Sequence, residues 1–573
     1  MEATKLMIHQ VFTSSRLFEM PFFQRAYVWD EPQRERLLED VESVSRGEGD
    51  YFMGSIVLKQ KPTNTSNRIG DVRTVIDGQQ RLTTISVLLK ALSLKTGQIP
   101  KFDRRFRLDD GTPVIQHNHD DAAAFAEVMD REEAAPLGQD GAGALTRAFN
   151  WFVERLKPDK VNFEAVMNRI MLVVIELAVE EDEQEIFNTL NSLGVRLTTA
   201  ELLKNHLFGL DDVTAYENTW KDIFEKDKET REYWDREIVT GRLRRSFSDI
   251  FFHAYLHILA NDQELPVKSD DKIMYFRVDK LFDSWKHFVK EYMTGRRECL
   301  LDGIRRYARS FKASFDPNIL AAELPGTPGL ERMNALIFGM ETTSLIPYAL
   351  FVENHIGDEA EKKGLYKLLE TYLVRRAVCK ATSKGYNRLF GASLILNRVL
   401  SVQDFLENAA KQEEQNLRMP GDGEFREAFH KNTLTNKQAA GILYLMETTI
   451  RDHSKHSTLL RGMDQYSLEH LLPKKWRKHW PGVKTKLLET ERDNHLLTLG
   501  NLAIITQKLN ASVSEACWTI KLERGLRKYA GAMDTLAGFL DRVDWDETAI
   551  YERADWLASK ALGIWTQGPV MDD

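Results

Sequence analysis

Apolar and polar positions follow two different rhythms along this chain of 573 residues. Near the start, "YFMGSIVLKQ" (51–60) and "RTVIDG" (73–78) are short β-branched runs separated by the polar stretch "KPTNTSNRIGDV". That pattern predicts two strands joined by a loop. From Leu82 the apolar positions of "LTTISVLLKAL" recur at helical spacing, so a helix follows the second strand with almost nothing between. "MPFFQRAYVWDEPQRERLLEDV" (20–41) runs from an aromatic cluster into an Asp and a Pro, the start signal of another helix. Residues 109–146 read as loop-rich, and "IMLVVIELA" (170–178) as a buried strand. The next stretch, "DEQEIFNTLNSLGVRLTTAELLKNHLFGL", reads as helix, turn and helix, with Asn191-Ser192-Leu193-Gly194 at the turn and Thr198 or Thr199 as N-cap.

From about 213 to 410 the pattern is nearly all helical, and the polar Pro- and Gly-containing stretch 411–425 reads as a linker. Near the end, "QYSLEHLLPKKW" (465–476) is a short strand closing on Glu469-His470. "LLTLGNLAIITQKLN" then gives a Gly-Asn turn, a strand, and a helix opening near Asn510. The expected organisation is a multidomain α+β chain: 1–210 α/β, 211–430 mainly α-helical, 431–573 strand–strand–helix.

Composition narrows the function classes. No stretch approaches the roughly 20 apolar residues that span a bilayer, and the first residues lack a basic segment followed by an apolar one. Cys299, Cys379 and Cys517 are far apart, which argues against a zinc ribbon or disulfide framework and fits a reducing cytoplasm. The net charge of −8 hides an uneven spread: residues 469–529 carry 12 Lys and Arg against 6 Asp and Glu. A basic segment of that kind suits phosphate contacts, although a solvated helix face has the same composition.

Two constellations carry candidate chemistry. In the first, Asp77-Gly78-Gln79-Gln80-Arg81 occupies the strand-to-helix corner. A glycine there lets backbone approach a ligand, the helix start offers unpaired N–H groups, and Arg81 supplies a guanidinium fork. Gln79 and Gln80 add amides, and Asp77 could hold a metal or orient Arg81. The chain has no Walker A pattern, and a polar corner whose Asp pairs with the Arg is the plainer alternative. In the second, a histidine ends one strand and an asparagine opens the next before a helix, the ββα-metal (HNH) layout. A histidine of near-neutral pKa can deprotonate water, and a carboxylate with a side-chain amide can hold one hard divalent cation.

The blocks "PFFQRAYVW", "FMGSIVL", "VIDGQQRLTT" and "IFNTLNSLGVRLTTAELLKN" resemble, in order, those of the GmrSD family of modification-dependent (type IV) restriction endonucleases. The "EHxxP…GNL…LN" pattern is similar to that of the family's C-terminal nuclease half. The resemblance implies a ParB/sulfiredoxin-like nucleotide-binding domain, with Asp77, Gly78, Gln79, Gln80 and Arg81 at the phosphates and Gln24 and Arg25 beside them. Asn191, Gly194 and Lys204 fall in the later block. It further implies His470 as general base, Glu469 and Asn510 as ligands of Mg²⁺ or Mn²⁺, and Asn501 orienting the histidine loop. Lys521, expected on the same helix as Asn510, would face phosphate. The implied protein is a cytoplasmic, NTP-regulated endonuclease of anti-phage defence acting on modified double-stranded DNA. Phe22, Phe23, Tyr27 and Trp29 are candidate sensors of a phosphorothioate or modified base, with core packing as the alternative. A homodimer stays open, as does the choice of GTP, ATP or another NTP. The rival readings are a ParB-like nucleotide-switched DNA-binding regulator with an inactive HNH frame, and an NTP-controlled nuclease that ignores modification.

Other motifs read as structural. His117-Asn118-His119 spells HNH without the strand–strand–helix frame. His253 and His257, at i and i+4 without a glutamate partner, read as a packed pair, and Arg375-Arg376 as support for a helix interface.

Overall fold

The computed structural model describes residues 2–567 apart from 22–25, 62–70, 118–120, 139–142, 179–197, 209–211, 241–242, 412–416, 455, 457–458, 479, 481, 484 and 531–532. The expected positions Phe22, Phe23, Gln24, Arg25, Asn118, His119, Asn191 and Gly194 lie outside the described residues. The chain divides into two compact units, 1–222 and 223–573.

The first unit is built on a six-stranded mixed sheet. Its strands are β1 (Glu2–Met7), β2 (Arg16–Glu19), β3 (Tyr51–Gln60), β4 (Asp71–Asp77), β5 (Ile115–Gln116) and β6 (Ile170–Leu177). Their order across the sheet is β1-β6-β3-β4-β2-β5. The two strands expected around residues 51–78 pair antiparallel, with a register shift between Val57 and Leu58. β3 also pairs parallel with β6, so "IMLVVIEL" sits inside the sheet, flanked by β1 on its other side. Helix α1 (Glu31–Arg46) starts at Asp30, whose side chain closes a capping box with Gln33, and Pro32 lies in its first turn. Helix α2 (Gln79–Thr96) opens three residues earlier than its apolar periodicity suggests. Gln79, Gln80 and Arg81 are therefore helical residues of the first turn rather than loop. Most of α2 is buried, including Lys90, whose ammonium lies 5.4 Å from the centre of the Phe102 ring. At 198–207 the expected cap is present: Thr198 accepts from Glu201 N at the head of Thr199–Leu207, and the Glu201 side chain returns the bond.

The second unit is mainly helical. A hairpin of β7 (Glu237–Thr240) and β8 (Leu243–Ser246) leads into α3 (Phe247–Ala260), whose aromatic residues stack into the core. Helix α4 (Glu359–Val378) is buried nearly all round. Arg375 donates to Trp565 O and Pro420 O and pairs with Asp422, while Arg376 donates to Arg418 O and Thr382 O. These bonds support the interface reading of the two arginines, and they fix 418–422 against α4 where the composition suggested a linker. Helix α5 (Asn436–Ile450) is tied to the preceding helices by the buried Arg332–Glu370 pair, since Arg332 also donates to Thr448 Oγ1 at 2.7 Å. Residues on both sides of position 430 thus share one core. Strands β9 (Tyr466–His470) and β10 (Leu502–Thr506) pair antiparallel, followed by α6 (Gln507–Val513) and, near the end, α7 (Glu547–Ile564).

No helix among the described residues is long and apolar enough to cross a membrane. The architecture is α-rich with a small mixed sheet, an α+β arrangement in several parts.

Candidate functional site

The corner at 77–81 is set by close packing. Gly78 has φ of 96°, and a Cβ on it would lie 2.4 Å from Ile56 Cγ2 on β3, so only glycine fits. Arg81 folds back over β3: its Nη1 donates to Ser55 O at 2.8 Å and lies 3.4 Å from Asp77 Oδ2. A Cβ on Gly54 would come within 2.9 Å of Arg81 Nε, which makes Gly54 the floor on which this guanidinium rests. Gly54 was not among the expected site residues, although a glycine inside a β-branched run is itself a sign of close approach.

The two glutamines diverge. Gln79 is buried and its Nε2 has no hydrogen-bond partner. Gln80 is already committed: its Oε1 accepts from Val28 N at 3.0 Å and its Nε2 donates to Ala26 O at 3.3 Å. Its amide holds the segment that follows the "FFQR" block, which corrects the expectation that it stands at the phosphates. The first turn of α2 has no side-chain cap, leaving its leading N–H groups open.

Tyr27 is likewise corrected. It is 2% exposed, its hydroxyl bonds Thr84 Oγ1 at 2.9 Å, and its backbone N donates to Asp121 Oδ2. Burial pushes the phenol up to about 12. A side chain so enclosed cannot touch DNA, so it is core beneath the corner. Trp29 is half-buried and packs on the same core, its carbonyl accepting from Arg34. His117 is core too: it bonds Thr83 Oγ1 and packs on Phe125, and burial holds its pKa down to about 3. Lys204 is buried, with its ammonium 6.0 Å from the Tyr216 ring centre.

In the second unit, His470 ends β9 opposite Leu502, the first residue of β10. Asn501, just before β10, is fully buried. Its Oδ1 accepts from Leu472 N at 2.8 Å and from Trp545 Nε1 at 3.0 Å, while its Nδ2 donates to Leu472 O and Leu496 O. Leu471 N donates to Asn501 O. One asparagine therefore holds the backbone immediately after the histidine. Arg553 on α7, unforeseen from the sequence, donates through Nη1 to Leu499, Gly500 and Leu502 carbonyls and fixes the same turn from the other side.

Residues Ser467 and Glu469 alternate onto one face of β9. Asn510 lies against that face, its Nδ2 donating to Ser467 Oγ at 2.9 Å and to Leu468 O at 3.3 Å. Lys521 does not face phosphate. It is fully buried, donates to Glu469 Oε1, and donates to His470 O at 2.7 Å. Nor does it share Asn510's helix, because α6 ends at Val513 and Ser514, at φ 41°, breaks the chain before the next helix starts at Trp518. Burial pushes the Glu469 carboxyl up and the Lys521 ammonium down, each resisted by the partner's charge. The His470 ring is largely buried, and its Nε2 has no hydrogen-bond partner. Burial and the nearby Lys474 and Lys521 charges hold its pKa down to about 4, so the ring is neutral at neutral pH. Among the described residues no cluster of three or more His, Cys, Asp or Glu is arranged to hold a metal ion.

This second constellation, two paired strands with a long helical connection between them and a helix after them, holds a neutral histidine, and it falls within residues 419–560, which match the C-terminal domain of the GmrSD restriction endonucleases. Residues 8–208, with the 77–81 corner, match the N-terminal domain of the same endonucleases. The chain belongs to the GmrSD restriction endonuclease family, and as such is a nuclease of restriction and antiviral defence whose substrate is DNA. No curated protein matches the chain.

Proposed function

We propose that DNA cleavage is carried by the His470 centre as an HNH-type, metal-dependent hydrolysis, and that the 77–81 corner binds and hydrolyses a nucleoside triphosphate that regulates it. The observation that carries the nuclease reading is the unpartnered, neutral Nε2 of His470 at the end of β9. A neutral imidazole nitrogen can accept the proton of an attacking water, and Asn501 holds its loop in place while it does so. The donors nearby fit a hard divalent cation. Asn510 keeps Oδ1 as an acceptor once its Nδ2 is tied to β9, and Glu469 shares that face. Such a cation, when bound, stabilises the charge that grows on the scissile phosphate. Lys521 holds the Glu469 carboxylate in place through their ion pair. The exposed Lys474 beside the histidine loop suits a neighbouring DNA phosphate.

For the corner, the uncapped start of α2, the orphaned Gln79 amide and the one-third-exposed Arg81 together support a phosphate cradle in a ParB/sulfiredoxin-like domain. Modification sensing then rests on surfaces other than Tyr27, and residues 211–430 would transmit the state of the corner to the nuclease. The decisive experiment is cleavage of matched duplexes differing only in phosphorothioate or base modification, with and without each NTP, in Mg²⁺, Mn²⁺ or chelator. Cleavage indifferent to NTP and modification would leave an unregulated nuclease. Binding without cleavage in any metal would favour the DNA-binding regulator.

A further inference from the structure

The second unit holds a cavity of about 620 Å³, remote in sequence from the His470 centre and lined by α3, the turn at 341–347 and residues 383–387. That volume is in the range of small-molecule sites. Arg245, at the end of β8, lines it. One of its nitrogens, Nη2, donates to Asp249 O at 3.1 Å, whereas Nε is buried with no hydrogen-bond partner. Arg245 has no carboxylate ion-pair partner among the described residues, and neither has Lys384, which lines the same cavity from an exposed position. The single carboxylate in the lining, Glu341, is already paired with Lys437.

One helical run, 343–355, begins in the lining, and its start has no side-chain cap. Its leading amides add positive potential to that of the two cations. The rest of the wall includes aliphatic side chains, among them Ile250, Ile346 and Leu373. The buried, unpartnered Nε–H of Arg245 is costly unless an acceptor completes it, since the nearby Asp249 carboxylate acts on the guanidinium only through its charge.

We propose that this cavity binds a small phosphorylated ligand of nucleoside-monophosphate size, its phosphate taken by Arg245 and Lys384 and its organic part by the aliphatic wall. Burial lowers the Arg245 pKa only to about 10, so the cation persists at neutral pH. His253 and His257, whose Nε2 atoms lie 3.3 Å apart, line the cavity as neutral rings. The site is separate from the 77–81 corner and does not depend on the function proposed for it.

The test is hydrogen exchange on the full chain with AMP, GMP, glucose 6-phosphate or inorganic phosphate, and in a separate arm duplex DNA. A saturable protection of amides 342–345 and 385–388 by a nucleoside monophosphate is expected, at lower concentration than inorganic phosphate requires. Arg245→Gln should raise the half-saturating concentration at least about tenfold, as for a lost charge-assisted hydrogen bond. Lys384→Gln, at an exposed position, should weaken it while leaving the fold intact if Arg245→Gln does not fold. Glucose 6-phosphate acting as well as AMP would keep the phosphorylated class and remove the base. No protection by any probe, protection indifferent to both substitutions, or protection by duplex DNA alone would overturn the proposal.

Discussion

Lys521 and Glu469 form an ion pair inside the second unit, with Lys521 fully buried and Glu469 5% exposed. Removing one partner leaves the other charge stranded in the interior. Lys521→Met is expected to destabilise the unit by about 3–5 kcal/mol, and Glu469→Gln with Lys521→Met together by less than the sum of the singles. Denaturant unfolding of the four proteins checks this. Additive losses would mean that the pair is solvated and uncoupled.

Asn501 offers a second measurement. Asn501→Ala leaves Leu472 N and O, Leu496 O and Trp545 Nε1 without their shared partner. A loss on the order of 3 kcal/mol is expected, together with a fall in DNA cleavage as the loop after His470 loosens. Cleavage at the wild-type rate in folded Asn501→Ala protein would remove the positioning role.

At the corner, Gly78→Ala combines a left-handed backbone with a Cβ placed on Ile56. The backbone term alone is worth about 1–2 kcal/mol, and the contact adds to it. Thermal unfolding of Gly78→Ala and of Gly78→Ala with Ile56→Ala separates the two: the second substitution relieves the contact but not the backbone term. An unchanged melting curve for Gly78→Ala would contradict the packing described.

Because Tyr27 is enclosed, Tyr27→Phe should lower stability by about 1 kcal/mol through loss of the bond to Thr84 and leave any preference for modified DNA as it was. A changed preference in folded Tyr27→Phe protein would bring the side chain back into recognition.

The His253–His257 pair sets a pH dependence. Burial holds His257 down to about 3 against an ordinary 6.5, and His253 also well below it. The unfolded chain therefore binds more protons than the folded one below about 6.5. The pair's contribution to stability is complete above that pH and is lost as the pH falls toward 3, at up to about 1.4 kcal/mol per pH unit for each ring. In His257→Asn protein the fall in melting temperature of the second unit between pH 7 and 5 should be shallower. Equal slopes would place a charged or solvated ring at 257.

Local order was legible in the sequence wherever one short run carries its own signal. The β-branched runs at 51–60 and 73–77, the Asp30 and Thr198 caps, and the strand ending at His470 with the Gly-Asn turn before β10 all depend on neighbours within a few residues. So did the choice of residues at the two constellations, because Gly, Arg, His and Asn bring chemistry that is fixed by their own atoms. What only the tertiary structure decided is where each side chain goes once distant segments meet. Gln79 and Gln80 are adjacent and identical, yet one is orphaned and the other bonds residues 26–28, because only Gln80 lies against that segment. Lys521 belongs to a basic stretch whose composition suits phosphate or solvent, but its side chain lies buried against Glu469, on a helix that begins after the break at Ser514. Arg553 acquires its role from a turn some fifty residues upstream, a pairing that no periodicity encodes. Helical and strand spacing specify which face of an element is apolar; the burial and charge partners of individual polar groups follow from which faces pack together.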